Sequence, residues 1–306
     1  MENSKIIIGT EQLGGVDWGE FDVSNIENAI RYGLDIGLRS FDTAHVYGLG
    51  LSEKRLSKLI EPVRHECEII TKVGLLWNDK QGPERLSIEK DLSYASMLKG
   101  AQESLKNLNL DRIPVLLAHW PDGKNPTEQV IENLYKLKES GLVDKIGLSN
   151  FDVNEVLLLQ DTMPIDYYQG SFSLLDLLNL ENYKDMSYNG INVITYGPLY
   201  HGMLTGKYSQ KSVFQKSDRR HRLDGFVGNQ GRKNYLKVDI VKQYSTMLGC
   251  DIKELAIKSL YMLGCELRTV VGVKSKAQLQ ENINALDVNI ADEAILSLMK
   301  DLSECN

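Results

Sequence analysis

What the chain has little of narrows its function first. Its 306 residues include only four cysteines, Cys67, Cys250, Cys265 and Cys305, widely spaced and with no C-x-x-C pair. That spacing excludes a disulfide scaffold and a zinc site, so no metal is expected, and it suits a reducing cytoplasm. Positive charge is also in short supply, with 35 Lys and Arg against 42 Asp and Glu for a net charge of −7. Nucleic acid and anionic membranes both need a basic face, so neither is an expected partner. No run of 18 apolar residues is present, and Met1-Glu2-Asn3-Ser4 lacks the basic-then-apolar pattern of a leader. Low-complexity stretches, linkers and short repeats are missing too. The expectation is a soluble, cytoplasmic protein that acts on a small molecule; nothing in the sequence speaks to its oligomeric state.

What is present is a recurring unit: a short apolar, β-branched run, a polar loop, then an amphipathic helical pattern. Strands are expected at Lys5–Ile8, Leu38–Phe41, Glu68–Thr71, Ile113–Ala118, Lys145–Leu148, Tyr167–Gln169, Asn192–Thr195 and Thr269–Val271. Helical patterns follow at Ile26–Ile36, Glu53–Leu59, Tyr94–Leu108, Thr127–Ser140, Val153–Gln160, Leu180–Tyr188, Ile252–Leu263 and Ala277–Ala285. Strands that are apolar nearly throughout are covered on both faces, and alternation with helices makes them parallel with right-handed crossovers. Eight such units predict one domain over residues 1–306, a single (β/α)8 TIM barrel whose active site lies at the C-terminal face of the strands. An open doubly wound sheet is the alternative, but no G-x-G-x-x-G follows the first strand. Two connections are long, those after Lys72 and after Tyr196, as lids and binding loops tend to be.

Polar or glycine residues end most of these strands: Asp42, Lys72, His119, Ser149-Asn150, Gln169, Tyr196-Gly197 and Gly272. In a β/α barrel those ends converge on one rim. Lys72 follows Ile69-Ile70-Thr71, so its ammonium is expected to be partly buried and to need a partner, for which Asp42 is the natural carboxylate. Tyr47 lies five residues beyond Asp42. A phenol beside a desolvated lysine has its ionised form favoured, which suits it to give a proton to a carbonyl oxygen. His119, flanked by Trp120 and Pro121, is placed to hydrogen-bond the same oxygen.

Phe41-Asp42-Thr43-Ala44-His45-Val46-Tyr47-Gly48, followed by Ser52-Glu53, resembles the signature of the aldo-keto reductase family. The likeness continues through Thr71-Lys72-Val73-Gly74, His119-Trp120-Pro121, Ile146 to Phe151, Thr195 to Leu199, Gly202 to Lys207, and Gly272 to Asn282. It covers the chain in order, and the motifs together are specific where each alone is weak. The resemblance implies reduction of an aldehyde or ketone to an alcohol, with NADP(H) favoured over NAD(H) and bound across the barrel mouth. It makes Tyr47 the general acid, tuned by Lys72 and Asp42, with His119 orienting the substrate. Gly9, Thr10 and Asp42 then border the cofactor, Ser149, Asn150 and Gln169 hold the nicotinamide amide, and Tyr196 stacks on its ring. Leu199, Gly202 and Leu204 follow the pyrophosphate, and Gly197, Pro198 and Lys207 also contact the cofactor. The segment from Gly272 and Val273 to Asn282 holds the adenosine end, with Lys274 and Ser275 facing a 2′-phosphate and Gln278, Glu281 and Asn282 the adenine. Trp18 and Trp120 join Tyr47 and His119 around the substrate.

Four positions depart from the family pattern. Glu11 stands where an aromatic or small residue is usual, His45 where Pro or Glu is frequent, Val271 where Pro is frequent, and Gln278 where some NADPH-specific members carry Arg. Glu11 and His45 are the ones expected to alter substrate choice. Plainer roles remain for each residue: Asp42 as a turn cap, Ser149-Asn150 as a helix cap, Tyr196 as rim packing, and Arg219 to Arg222 as a solvated loop rather than an anion clamp. Two other functions stay open: a cofactor-binding regulatory or sensor subunit of the same fold with little turnover, and a different barrel enzyme such as a phosphosugar isomerase.

Overall fold

A computed structural model describes residues 5–15, 22–77, 88–216, 218–261 and 267–305. Eight parallel strands close into a barrel: β1 (Ile6–Gly9), β2 (Ser40–Asp42), β3 (Glu68–Val73), β6 (Ile113–Ala118), β7 (Val143–Ser149), β8 (Tyr167–Ser171), β9 (Asn192–Tyr196) and β10 (Arg268–Gly272), with β1 paired to both β2 and β10. All eight expected strands are there, each displaced by at most two residues at its start or end. The two strands left out of this ring, β4 (Leu75–Trp77) and β5 (Ile88–Lys90), form an antiparallel hairpin directly after β3. This hairpin lies in the long connection expected after Lys72, where no strand is expected from the sequence.

The barrel interior and the layer beneath the helices separate by the two-residue period of a strand. Ile7, Ile70, Val115, Leu117, Tyr167, Ile194 and Val270 pack together inside the ring. Their neighbours Ile6, Ile8, Phe41, Ile69, Leu116, Ile146 and Leu148 face outward against the helices. That outer layer is closed by α1 (Val23–Asp35), α2 (Leu51–Leu59), α3 (Tyr94–Leu108), α4 (Thr127–Glu139), α5 (Val153–Leu159), α6 (Leu180–Tyr188), α8 (Ile252–Tyr261) and α9 (Lys276–Asn284). Several start on side-chain caps: Asp22 accepts from Ser24 N–H at 2.9 Å, and Asp152 accepts from Asn154 and Glu155 N–H, each at 3.0 Å.

Two further helices were not expected, α7 (Gly228–Leu248) and α10 (Asp292–Glu304). The buried face of α7 is Gly231, Asn234, Tyr235, Val238, Val241 and Ser245, half of it polar or small, which blurs the apolar period. In α10 the stripe Ile295, Leu298, Met299 and Leu302 is clear, but it lies beyond the eighth strand-helix unit. The two helices join where Tyr244 on α7 donates to Asp301 on α10 at 2.7 Å.

At the N-terminal end of the barrel, polar groups seal the floor. Tyr167 O–H donates to Glu68 at 2.8 Å, and the Arg268 guanidinium bonds both Glu68 and Ser40. Burial works against the Glu68 charge, but bonds from Arg268 and Tyr167 outweigh it and lower its pKa.

Candidate active site

The same two-residue period that fills the barrel with aliphatic side chains delivers the polar ones to its mouth. Two positions past Ile7 stands Gly9, past Ile70 Lys72, past Leu117 His119, past Tyr167 Gln169, past Ile194 Tyr196, and past Val270 Gly272. Each occupies the next inward position above the last apolar layer. The rim expected from the strand ends is therefore one physical layer of the barrel.

Lys72 is 1% exposed and Asp42 5%. The ammonium donates to both carboxylate oxygens, at 2.7 and 2.8 Å, and to the Thr43 carbonyl at 3.0 Å, three acceptors for its three N–H bonds. The Gln169 amide donates to Asp42 Oδ2 at 2.7 Å. An ion pair this deep costs several kcal/mol per ion in lost hydration, so it persists only with its hydrogen bonds complete. The Lys72 charge lies 5.4 Å from the centre of the Tyr47 ring.

Tyr47 sits in the turn between β2 and α2, whose small residues have a packing reason. Gly48 has φ +59°, and a Cβ there would stand 2.3 Å from the Gly14 carbonyl oxygen. The turn is thus pressed against the loop after β1. The Tyr47 and His119 rings meet edge to face, with centres 5.9 Å apart at 77°. His119 N–H donates to the Val73 carbonyl at 2.9 Å, extending the ladder between β3 and β6 and fixing the ring's base. Phenol, ammonium, carboxylate and imidazole, spread over residues 42 to 119, share one end of the barrel.

Beside them, Asn150 occupies a left-handed conformation at φ +65°. Its amide donates to the His119 carbonyl at 3.0 Å and to Ser149 Oγ at 2.9 Å, and its Oδ1 accepts from Tyr196 O–H at 2.6 Å. Burial raises the Tyr196 pKa to about 12, which keeps that hydroxyl a donor.

A cavity of about 640 Å³ crosses the mouth, from Tyr47, His119 and Trp120 at one end to Lys274, Gln278, Glu281 and Asn282 at the other. Gly9, Asp42, Ser149, Asn150, Gln169, Tyr196, Gly197, Pro198, Leu199, Gly202, Lys207 and Gly272 line it as expected. Thr10, Leu204, Val273 and Ser275 do not. Thr10 is buried, donating to the Asp42 carbonyl at 2.9 Å, Leu204 and Val273 belong to the apolar core, and Ser275 caps α9 by accepting from Gln278 N–H at 3.3 Å. Trp18 lies outside the described residues, and Trp120 lines the cavity with Lys90 over its ring at 5.2 Å.

Contributions the sequence reading missed come from the hairpin and from the long loop after β9. Leu75 and Ile88 form an apolar wall beside Val46. Arg219 pairs with Glu11 at 3.4 Å, and Arg220 pairs with Asp218 and stacks over Tyr208 and Phe214, with its carbon 4.6 and 4.8 Å from their centres. These two arginines are therefore folded against the cavity rather than solvated. The only sequence signal was their charge.

The lining fits an extended nicotinamide dinucleotide. Its floor is glycine: a Cβ at Gly9 would stand 2.8 Å from Val270, and one at Gly272 would stand 2.5 Å from Gln12. The buried Gln12 Oε1 has no hydrogen-bond partner among the described residues. Lys274 and the Arg220–Asp218 pair stand toward one end of the cavity, where burial and the Arg220 charge lower the Lys274 pKa and Asp218 opposes that shift. No cluster of metal-ligating side chains occurs among the described residues, and no described helix is long and apolar enough to cross a membrane.

A closed (β/α)8 barrel with a tyrosine above a buried lysine-aspartate pair, and a cavity across its mouth for a nicotinamide cofactor, defines a class of oxidoreductase. Residues 5–301 match the model of the aldo/keto reductase family, and the chain belongs to that family. It is 30% identical to the aldo-keto reductase YhdN of Bacillus subtilis over 84% of this chain and 77% of that one. It is 28% identical to the NADH-specific methylglyoxal reductase of Escherichia coli over 98% and 95%. Among solved structures, the glycerol dehydrogenase AKR11B4 of Gluconobacter oxydans superposes with a TM-score of 0.83 at 25% identity, covering 97% of this chain and 90% of that one.

Proposed function

We propose that this protein reduces an aldehyde or ketone to an alcohol, using NADPH in preference to NADH, with Tyr47 as the general acid. The observation that carries the reading is the buried Lys72–Asp42 pair placed 5.4 Å from the Tyr47 ring. A surface lysine would serve the fold equally well, and an ammonium with 1% exposure needs another reason.

Bound NADPH supplies a hydride to the carbonyl carbon. The Tyr47 O–H bond breaks as its proton passes to the carbonyl oxygen, and the Lys72 charge stabilises the phenolate left behind. Asp42 holds Lys72, and Gln169 holds Asp42, so that charge stays in register with the phenol. His119 donates to the same oxygen and fixes the carbonyl's orientation. Ser149, Asn150 and Tyr196 form the polar and aromatic surface for the nicotinamide. Tyr47 recovers its proton from solvent after the alcohol leaves.

The NADPH preference rests on local charge. Lys274 and Arg220 stand together at the adenosine end, where a 2′-phosphate needs cations. Relatives do not carry it, since one of them is named as NADH-specific. A panel of aldehydes, ketones and sugars, assayed by loss of nicotinamide absorbance with NADPH and with NADH, tests the whole reading. The expected result is carbonyl-dependent oxidation that is faster with NADPH. Tight NADPH binding without turnover on any carbonyl would favour a cofactor-binding regulatory subunit instead.

A further inference from the structure

His45 is buried in the turn after β2, 9% exposed and outside the cavity lining, and no step above uses it. Its Nδ1 lies 2.8 Å from the Lys72 carbonyl oxygen. A carbonyl only accepts, so Nδ1 carries the proton. The reason this bond exists lies in where β2 stops. Along β3, the carbonyls of Ile70 and Lys72 face β2, while that of Val73 faces β6 and accepts from His119 N–H. Thr43 N–H donates to the Ile70 carbonyl at 2.9 Å. Had β2 continued, the backbone N–H of residue 45 would have donated to Lys72. The chain instead leaves the sheet to form the turn that carries Tyr47, and the side chain of the same residue supplies the missing donor.

Lys72 is therefore gripped by the β2 turn at both ends. Asp42 and Thr43 hold its ammonium, and His45 holds its carbonyl. His45 stands two residues before Tyr47, so its bond ties the turn bearing the phenol to the strand bearing the charge. On its other side the ring rests against α3: a Cβ at Gly100 would stand 3.6 Å from His45 Cε1. We infer that His45 is a positioning residue, whose Nδ1–H bond to the Lys72 carbonyl sets the separation of Tyr47 and Lys72. This rests on the reading of Tyr47 as the acid.

Leu and Asn at position 45 separate the bond from the packing, since the Asn amide nitrogen can stand where Nδ1 stands. With the substrate found by the panel, His45→Leu should lower kcat about tenfold while NADPH binding, measured by fluorescence, stays within about twofold, because misplacement acts on the chemical step. His45→Asn should return kcat to within about twofold of wild type. A His45→Leu kcat within about threefold of wild type overturns the inference, as does a His45→Asn loss as deep as that of His45→Leu. Nitrogen-15 spectra of the wild-type histidines, with the His45 signal assigned by its loss in His45→Asn, decide the matter if His45→Leu fails to fold. A proton on Nδ1 with an active His45→Asn supports the inference, and a proton on Nε2 alone overturns it. Tyr47→Phe is run alongside. If it turns over normally, the acid assignment itself fails; if it is inactive while His45→Leu is unimpaired, only the role of His45 fails.

Discussion

A lysine that is 1% exposed, with three acceptors around its ammonium, has no freedom to serve as a general surface charge. Beyond Asp42 and Thr43, which hold it, its charge faces the Tyr47 ring 5.4 Å away, the phenol it is proposed to tune. Lys274 is the opposite kind of residue: half-buried at the cavity's edge, its pKa lowered by burial and by the Arg220 charge against the pull of Asp218. Replacing Lys274 by Met should weaken NADPH by roughly 1.5–3 kcal/mol, about ten- to a hundredfold in Kd, with a smaller effect on NADH. Equal losses for both cofactors, measured by fluorescence titration, would mean that the phosphate is read elsewhere. Strand-end position and residue type together grouped Asp42, Tyr47, Lys72 and His119, because a lysine ending an apolar strand needs a carboxylate, and the four do share one end of the barrel. The bond from His45 to the Lys72 carbonyl was not legible, since it depends on where β2 leaves the sheet. Nor was the pairing of Glu11 with Arg219, which joins residues 208 positions apart.

Among the elements, the strands were the most legible, because both their faces are buried and each therefore reads as a short, nearly continuous apolar run before a helical pattern. The hairpin of β4 and β5 was missed because β5, Ile88-Glu89-Lys90, is short and mostly exposed, with one apolar residue, so no apolar run marks a partner for Leu75–Trp77. The loops between elements are held by particular carboxylates. Asp122, after β6, accepts from Leu92, Lys124 and Asn125 N–H at 2.8, 2.9 and 2.9 Å and from the Asn125 amide at 2.7 Å, joining the loop before α4 to the one before α3. Burial opposes its charge, but these bonds outweigh that and bring its pKa from 3.8 to about 2. A carboxylate with a depressed pKa contributes stability above its unfolded value and loses it as pH falls toward its folded value. Asp122→Asn should therefore flatten the acid dependence of unfolding between pH 3.8 and about 2, read by urea titration. Equal slopes for variant and wild type across that window would contradict the assignment.

For the molecule as a whole, the helix-facing layer carries stability and the mouth carries chemistry, so the two should separate by mutation. Leu134 on α4 is fully buried in that layer and does not line the cavity. Leu134→Ala should cost about 2–5 kcal/mol of stability in urea unfolding and leave kcat unchanged. A kcat that fell with stability would show that the layers are coupled. The closed barrel itself was legible from eight alternating units, and α7 escaped because half its buried face is polar or small. The most direct test of the account is single-turnover reduction by Tyr47→Phe with NADPH bound. The account predicts that the rate falls roughly 10²- to 10⁴-fold while NADPH affinity stays within about twofold. Near-normal turnover by that variant would contradict it.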